Sequence, residues 1–137
     1  MKYLKEKLQE VVLYLIENKN ALYFGVGGAR GFDMLAAEKI INARKQYPDI
    51  KLILVAPCEN QCERWNNQEI KRYMSIRSVC DKVQVLSKEY YKGCMQARNR
   101  YLVDHSAVCV SYLRKPTGGT AYTEKYAQSQ GLTVIKL

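Results

Sequence analysis

Ala21-Leu22-Tyr23-Phe24-Gly25-Val26, then Gly27-Gly28-Ala29-Arg30-Gly31, then Phe32-Asp33-Met34-Leu35-Ala36-Ala37-Glu38 is the stretch whose reading decides the fold. The first six residues are an apolar run of strand length. The glycine-rich segment breaks it as a turn. The residues that follow carry apolar side chains at helical spacing as far as residue 46, just ahead of Pro48. A strand that enters a helix through a glycine turn is the first half of a parallel crossover unit.

The rest of the chain repeats that unit. Ahead of it, residues 3–18 read as an amphipathic helix, with Leu4, Leu8, Val11 and Leu15 spaced by four, three and four, closed by Asn18-Lys19-Asn20. Beyond it, Lys51–Ala56 is a strand whose unbroken run Leu52-Ile53-Leu54-Val55 suits burial on both faces. Pro57–Trp65 is a loop, and residues 67–80 a helix with Tyr73, Ile76 and Cys80 on one stripe. Lys82–Leu86 is a strand, residues 94–104 a helix, and Ala107–Tyr112 another strand. After a loop over Leu113–Gly119 come a helix at 120–130, stopped by Gly131, and a closing strand at Thr133–Leu137. This alternation predicts an α/β fold, a mainly parallel sheet of about five strands with helices on both faces and right-handed crossovers. There is no internal repeat or low-complexity stretch, so one domain over residues 1–137 is expected.

Composition narrows the function classes. A chain of 137 residues with 47% apolar residues builds its own core and is not a disordered tail. No run of apolar residues is long enough to cross a membrane. Met1-Lys2-Tyr3-Leu4-Lys5-Glu6 lacks the apolar centre of a secretory leader, and the cysteine count is odd: Cys58, Cys62, Cys80, Cys94 and Cys109. Reduced thiols in a cytoplasmic setting are therefore expected. Cys58 and Cys62 are the one close pair, but His105 is the sole histidine and lies far along the chain, so neither a metal site nor a metal cofactor is expected. The formal charge of +9 suits phosphates or polyanions as partners. The basic residues are spread over several helices, which favours a solvated surface over a nucleic-acid track.

In a parallel sheet every strand-to-helix loop opens at one edge, where ligands of such folds sit. Two of those loops are glycine pairs: Gly27-Gly28-Ala29-Arg30-Gly31, and Thr117-Gly118-Gly119-Thr120. Glycine lets backbone N–H groups approach a ligand, and the following helix adds its positive end. Together they form a candidate cradle for phosphate or ribose-phosphate, although neither is a P-loop or a dinucleotide fingerprint. Arg98 shares a stripe with Met95 and Leu102 on the helix that follows Gly93. Held there, it would clamp a phosphate; otherwise it reaches solvent or pairs with Asp104. Asp33 either favours its helix dipole or accepts a hydrogen bond from a sugar hydroxyl. Trp65, with Gln61 in the same loop, either stacks on a base or covers the core.

These motifs resemble those of a known group. Residues 27–38, the Pro57, Gln61, Trp65 spacing, the run Met95-Gln96-Ala97-Arg98-Asn99-Arg100-Tyr101 with Asp104 and Ser106, and Gly118-Gly119-Thr120-Ala121-Tyr122-Thr123 resemble, in order, the motifs of the YpsA-like branch of the SLOG superfamily. That superfamily also takes in DprA and the LOG phosphoribohydrolases. The resemblance spans residues 21–137. It implies a Rossmann-like three-layer domain that binds a nucleotide or nucleotide derivative, and a sensor or accessory role is expected for it. With the two glycine turns and Arg98 at one edge, the candidate ligand residues are Gly27, Gly28, Arg30, Gly31, Asp33, Gln61, Trp65, Arg98, Gly118, Gly119 and Thr120. LOG-type cleavage of a nucleoside 5′-monophosphate is the alternative, and DprA-like binding of single-stranded nucleic acid a third. Two departures matter. LOG enzymes place a glutamate before the arginine, where Ala97 stands, and another after the second glycine turn, where the register gives Lys125 with Glu124 one residue off. Members also begin with a strand and a glycine–arginine loop, whereas this sequence opens at its helix. One strand is therefore expected to be lacking, and a homodimer is expected to cover the flank.

Overall fold

In the computed structural model, which describes residues 2–112 and 118–137, helices and strands alternate throughout. The order is α1 (Lys2–Lys19), β1 (Tyr23–Val26), α2 (Phe32–Ala43), β2 (Lys51–Ala56), α3 (Asn67–Ser78), β3 (Lys82–Val85), α4 (Cys94–Asp104), β4 (Val108–Ser111), α5 (Gly119–Ser129) and β5 (Thr133–Lys136). The five strands are those expected, and every pairing is parallel.

They do not form one ladder. β1, β2 and β3 make a three-stranded sheet in that order, and β4 pairs with β5 in a second. Among the described residues no strand hydrogen-bonds to the outer edge of β1 or of β4. Burial follows the pairing. In β2, paired on both sides, Leu52, Leu54, Val55 and Ala56 are all inside. In β4 the apolar Val108, Cys109 and Val110 are only half-buried. An apolar strand needs neighbours on both edges as well as both faces to be enclosed. The single five-stranded sheet is therefore corrected to three plus two.

The core lies between α1, α2, α3 and the first sheet. Leu4, Leu8 and Val12 of α1, Met34, Leu35 and Ile40 of α2, Leu52 and Leu54 of β2, and Tyr73 and Ile76 of α3 form one cluster. The stripe on α1 runs through Val12 and not Val11, because two steps of four from Leu4 keep to the packed face. Cys80 falls past the end of α3, half-buried, with its Sγ 3.3 Å from the Ile76 carbonyl oxygen. Gly25 points away from this core toward Leu102 of α4; a Cβ there would lie 3.0 Å from a Leu102 methyl. α4 therefore covers the opposite face of the first sheet, which completes three layers. Gly131, at positive φ, follows the last turn of α5. Its N–H reaches the Gln128 carbonyl and that of Leu132 reaches Ala127, the paired bonds of a Schellman stop. Asp81, just before β3, accepts from the Leu52 N–H and from Arg44, each at 2.8 Å, and so ties the sheet to the end of α2.

Candidate functional site

Parallel strands aim the ends of β1 and β2 at one edge. The ring of Tyr112, just past β4, stacks on Phe32 at the start of α2 with centroids 6.1 Å apart. β4 therefore ends at that edge too.

The starts of the helices differ there in a consistent way. α3 opens with a full capping box: the Asn66 side chain accepts from the Glu69 N–H, and Glu69 accepts from the Asn66 N–H. The other three that follow strands open on glycines at positive φ: Gly31 before α2 (φ 85°), Gly93 before α4 (φ 92°) and Gly118 before α5 (φ 102°). None has a side-chain cap, and neither α4 nor α5 has an acid in its first turn. Glycine reaches this conformation at little cost and brings no side chain to occupy the N–H groups of the first turn.

Between the first two of these helix starts lies a buried polar cluster. Arg98 of α4 is only 3% exposed. Its Nη1 donates to the Gly27 carbonyl, with the Val55 carbonyl at 3.4 Å and Gln61 Oε1 at 3.3 Å, while Nε donates to Asn99 at 2.8 Å. Arg98 therefore neither reaches solvent nor pairs with Asp104, which takes the hydroxyl of Tyr126 instead. Met95, on the expected stripe, is 40% exposed. The Asp33 carboxylate reaches back to accept from the Ala29 N–H at 3.3 Å and faces the N–H of Gly27. Its role in the fold is to clamp the turn.

Gly27 sits between the acid and the arginine. A Cβ on it would come within 2.6 Å of Arg98 Nη1 and 2.7 Å of Asp33 Oδ2. Gly28, at φ 71°, leaves no room either: its Cβ would meet Leu54 at 2.6 Å and Tyr73 at 2.9 Å. Burial raises the Asp33 pKa, opposed by the Arg98 charge and by the N–H groups of Ala29 and Gly27. Burial likewise lowers the Arg98 pKa, with Asp33 the chief opposing influence. Each ion thus offsets part of the other's desolvation across the glycine.

Gln61 completes the cluster. Its Oε1 faces Arg98, which has only donors, so its Nε2 is the outward donor. That Nε2 is buried and has no hydrogen-bond partner among the described residues. It lies 3.4 Å from where a Gly28 Cβ would be. An orphaned buried donor costs about 1–3 kcal/mol, so it marks a place where an acceptor is missing.

The remaining expected residues sit around this cluster. Trp65 is half-buried against the core, its ring edge-on to Tyr73 at 5.4 Å. Arg30 lies over the Trp65 ring at 5.6 Å and pairs with Glu69 at 3.6 Å. One Trp65 face is therefore already occupied by a cation. Gly31 starts α2 with open space where a Cβ would be. Gly118, Gly119 and Thr120 are exposed at the start of α5. Thr117, with the rest of 113–117, lies outside the described residues.

Two groups outside the expected ligand residues are inside. Glu124 of α5 is 5% exposed and accepts from the Ser111 hydroxyl at the end of β4; Lys136 stands 3.8 Å away. The spacing Ala121, Glu124, Ala127 was the available signal, since it places this acid on the packed stripe of α5. Cys58, expected beside Cys62, has Cys94 as its neighbour, and burial is the main cause of its raised pKa. A thiol so held stays protonated. Among the described residues no three His, Cys, Asp or Glu side chains converge as metal ligands. No helix of the described residues is long and apolar enough to cross a membrane.

The model of the YpsA family, described as the YspA SLOG family, matches residues 1–133. This chain belongs to that family. The match supports the motif resemblance and the Rossmann-like reading of the fold. Among its relatives is a protein of Bacillus subtilis (strain 168) called uncharacterized SPbeta prophage-derived protein YoqJ. It is 31% identical over 137 aligned residues, which cover 91% of this chain and 80% of YoqJ. The UPF0398 protein BH1768 of Halalkalibacterium halodurans is 30% identical, over 93% of this chain and 69% of its own length. A UPF0398 protein of Oenococcus oeni is 30% identical over 70% of this chain and 51% of its own.

Proposed function

We propose that this SLOG-family chain binds a nucleotide or phosphorylated nucleoside at the strand-end edge and acts as a ligand sensor or accessory domain. The observation that carries this reading is the set of glycine-started helices α2, α4 and α5, none with a side-chain cap, beside an α3 that caps itself. Free first-turn N–H groups and the positive end of a helix suit phosphate oxygens. Gln61 Nε2, buried beside Gly28 and without a hydrogen-bond partner among the described residues, supplies a donor for a ligand carbonyl, ring nitrogen or hydroxyl. In this reading Arg98 and Asp33 hold the Gly27 turn in shape, while Arg30 and Trp65 form the rim of the edge.

Thermal denaturation against nucleoside mono-, di- and triphosphates tests it. A ligand at about a hundred times its Kd adds roughly 2.7 kcal/mol and raises the midpoint by several degrees. No shift with any nucleotide at millimolar concentration overturns the reading. Among the described residues no strand pairs with the outer edges of β1 and β4, which favours a homodimer; a monomer by light scattering contradicts that part alone.

A second reading, cleavage of a nucleoside 5′-monophosphate to base and ribose phosphate, draws support from Glu124, whose carboxylate is buried at the end of β4 although the register places it one residue off. Ala97 still stands where such enzymes are expected to carry their other glutamate. Free base released above the uncatalysed rate, and lost in Glu124→Gln, supports it; no release excludes it.

A further inference from the structure

Among the described residues β1 and β4 are each paired on one side only, and β4 stands off from β1 farther than paired strands do. They are neighbours nonetheless. Tyr112, just past β4, stacks on Phe32 at the start of α2, and Val110 and Tyr112 pack against the core that includes Val26 of β1. Handedness fixes which edges face each other. α2 and α3 lie on the core face and step from β1 to β2 to β3. α4 lies on the opposite face, where Leu102 meets Gly25, so its right-handed crossover carries the chain back past β1. α5 packs beside α4 through the Arg100–Tyr122 and Asp104–Tyr126 bonds, so β5 lies farther out still. The free edge of β4 therefore looks toward the free edge of β1 across a gap.

That gap is a strand position. α1 packs beside α2, on the side away from α3, with Leu4, Leu8 and Val12 turned to the core. A right-handed crossover on that face, ending in β1, starts from the outer edge of β1. α1 therefore covers the gap on one face and α4 on the other. Its lining is apolar yet only half-buried: Phe24 of β1, and Val108, Cys109 and Val110 of β4. Such a place selects its occupant. Two parallel edges demand an extended backbone running the same way, to match the four residues of β1 and the four of β4. Two covered faces demand apolar side chains without alternation. A second copy of this chain does not qualify, since each of its described strands is already held in a sheet. We propose that the β1–β4 gap takes up an extended apolar segment of another polypeptide as a parallel strand, the main chain giving affinity and the apolar run specificity. This uptake does not depend on what the glycine-turn edge binds.

The probe is a fluorescein-labelled peptide copying Lys51–Ala56, the strand that this fold itself encloses on both edges, with lysines added for solubility. Fluorescence anisotropy with the full chain should show saturable binding, abolished by Ile53→Pro in the peptide, which removes a ladder donor. At about ten times its Kd the peptide should slow exchange about tenfold at the gap-facing amides of Tyr23–Val26 and Val108–Ser111. The outer edges of Lys82–Val85 and Thr133–Lys136 should be unchanged. A nitroxide at the C-terminus of the peptide should broaden the amides of Gly27 and Ser111, and one at its N-terminus those of Leu22 and Ala107, as a parallel strand requires. No binding at millimolar peptide, a proline peptide that binds equally, protection at β3 or β5 instead, or the reversed nitroxide pattern each overturns the proposal. A dimer whose β1 and β4 amides are already protected and that ignores the peptide overturns it too, because a second copy then covers the edges.

Discussion

The guanidinium of Arg98 donates to the carbonyl of Gly27, 71 residues earlier, and so fastens α4 on one face of the sheet to the glycine turn at its edge. The same Nη1 has the Val55 carbonyl within 3.4 Å, which places one side chain across the ends of two adjacent strands. Arg98→Ala leaves those carbonyls and the Asp33 carboxylate without their cation. Chemical denaturation should show a loss of roughly 3–5 kcal/mol, the range for breaking a buried charge network. Arg98→Lys should recover only part of it, because an ammonium lacks the planar fork. A loss below 1 kcal/mol for the alanine variant would mean that the contacts are incidental.

Gly27→Ala should cost about 1–3 kcal/mol through overpacking, since its methyl would collide with Arg98 and Asp33. Gly31→Ala has open space around it and should cost about 1–2 kcal/mol through its positive φ alone. The two differ in coupling. Combined with Arg98→Ala, Gly27→Ala should be clearly less costly than the sum, because the obstructing group is gone, whereas Gly31→Ala should add. Additivity at Gly27 would refute the collision.

Two aspartates should give opposite pH signatures. The folded pKa of Asp33 is raised above its ordinary 3.8, so its contribution is fully present below that pH and is lost as pH rises through the folded value. Asp33→Asn should remove that fall and compare more favourably with the parent at pH 7 than at pH 3. The Asp81 pKa is lowered, first by the Leu52 N–H and further by Arg44. Its contribution is present above 3.8 and is lost as pH falls through the depressed value. Asp81→Asn should therefore be destabilising at pH 7 and close to neutral in strong acid. Denaturant midpoints of both variants across pH 2–8 check the signs; parallel profiles would contradict them.

Ser111→Ala should cost about 1–3 kcal/mol, because it leaves a buried Glu124 oxygen without its donor. The double variant Ser111→Ala, Glu124→Leu should lose less than the sum. Additive losses by chemical denaturation would show that the two side chains do not depend on each other.

Most of the architecture was legible in the residues. The run at 52–55, glycine turns between strands and helices, and 3–4 spacing along α1 and α3 are local signals, and each element formed within a few residues of its expected ends. Two things were not local. Whether β4 is enclosed depends on what pairs with its far edge, and an apolar run such as Val108-Cys109-Val110 reads the same in either case. Arg98 was legible as a charge on a packed helix, but its target was not. That target is a backbone carbonyl, and a carbonyl leaves no mark in a sequence. Glu124 was discounted because it was compared with a motif position; its place between Ala121 and Ala127 on the buried stripe is what decides where it points. Trp65 fell between its two readings, a half-buried cover over Tyr73 whose exposed face is taken by Arg30.

The central claim is a nucleotide site at the strand-end edge, and an amide NMR titration of the intact chain with a nucleoside 5′-monophosphate tests it most directly. The account predicts saturable shifts at Gly27, Gly28, Gly119 and Thr120 and at the Gln61 side-chain amide, with Kd below a millimolar and the response lost in Gln61→Leu while the protein remains folded. Saturable shifts confined to other surfaces, or none at several millimolar nucleotide, would contradict it.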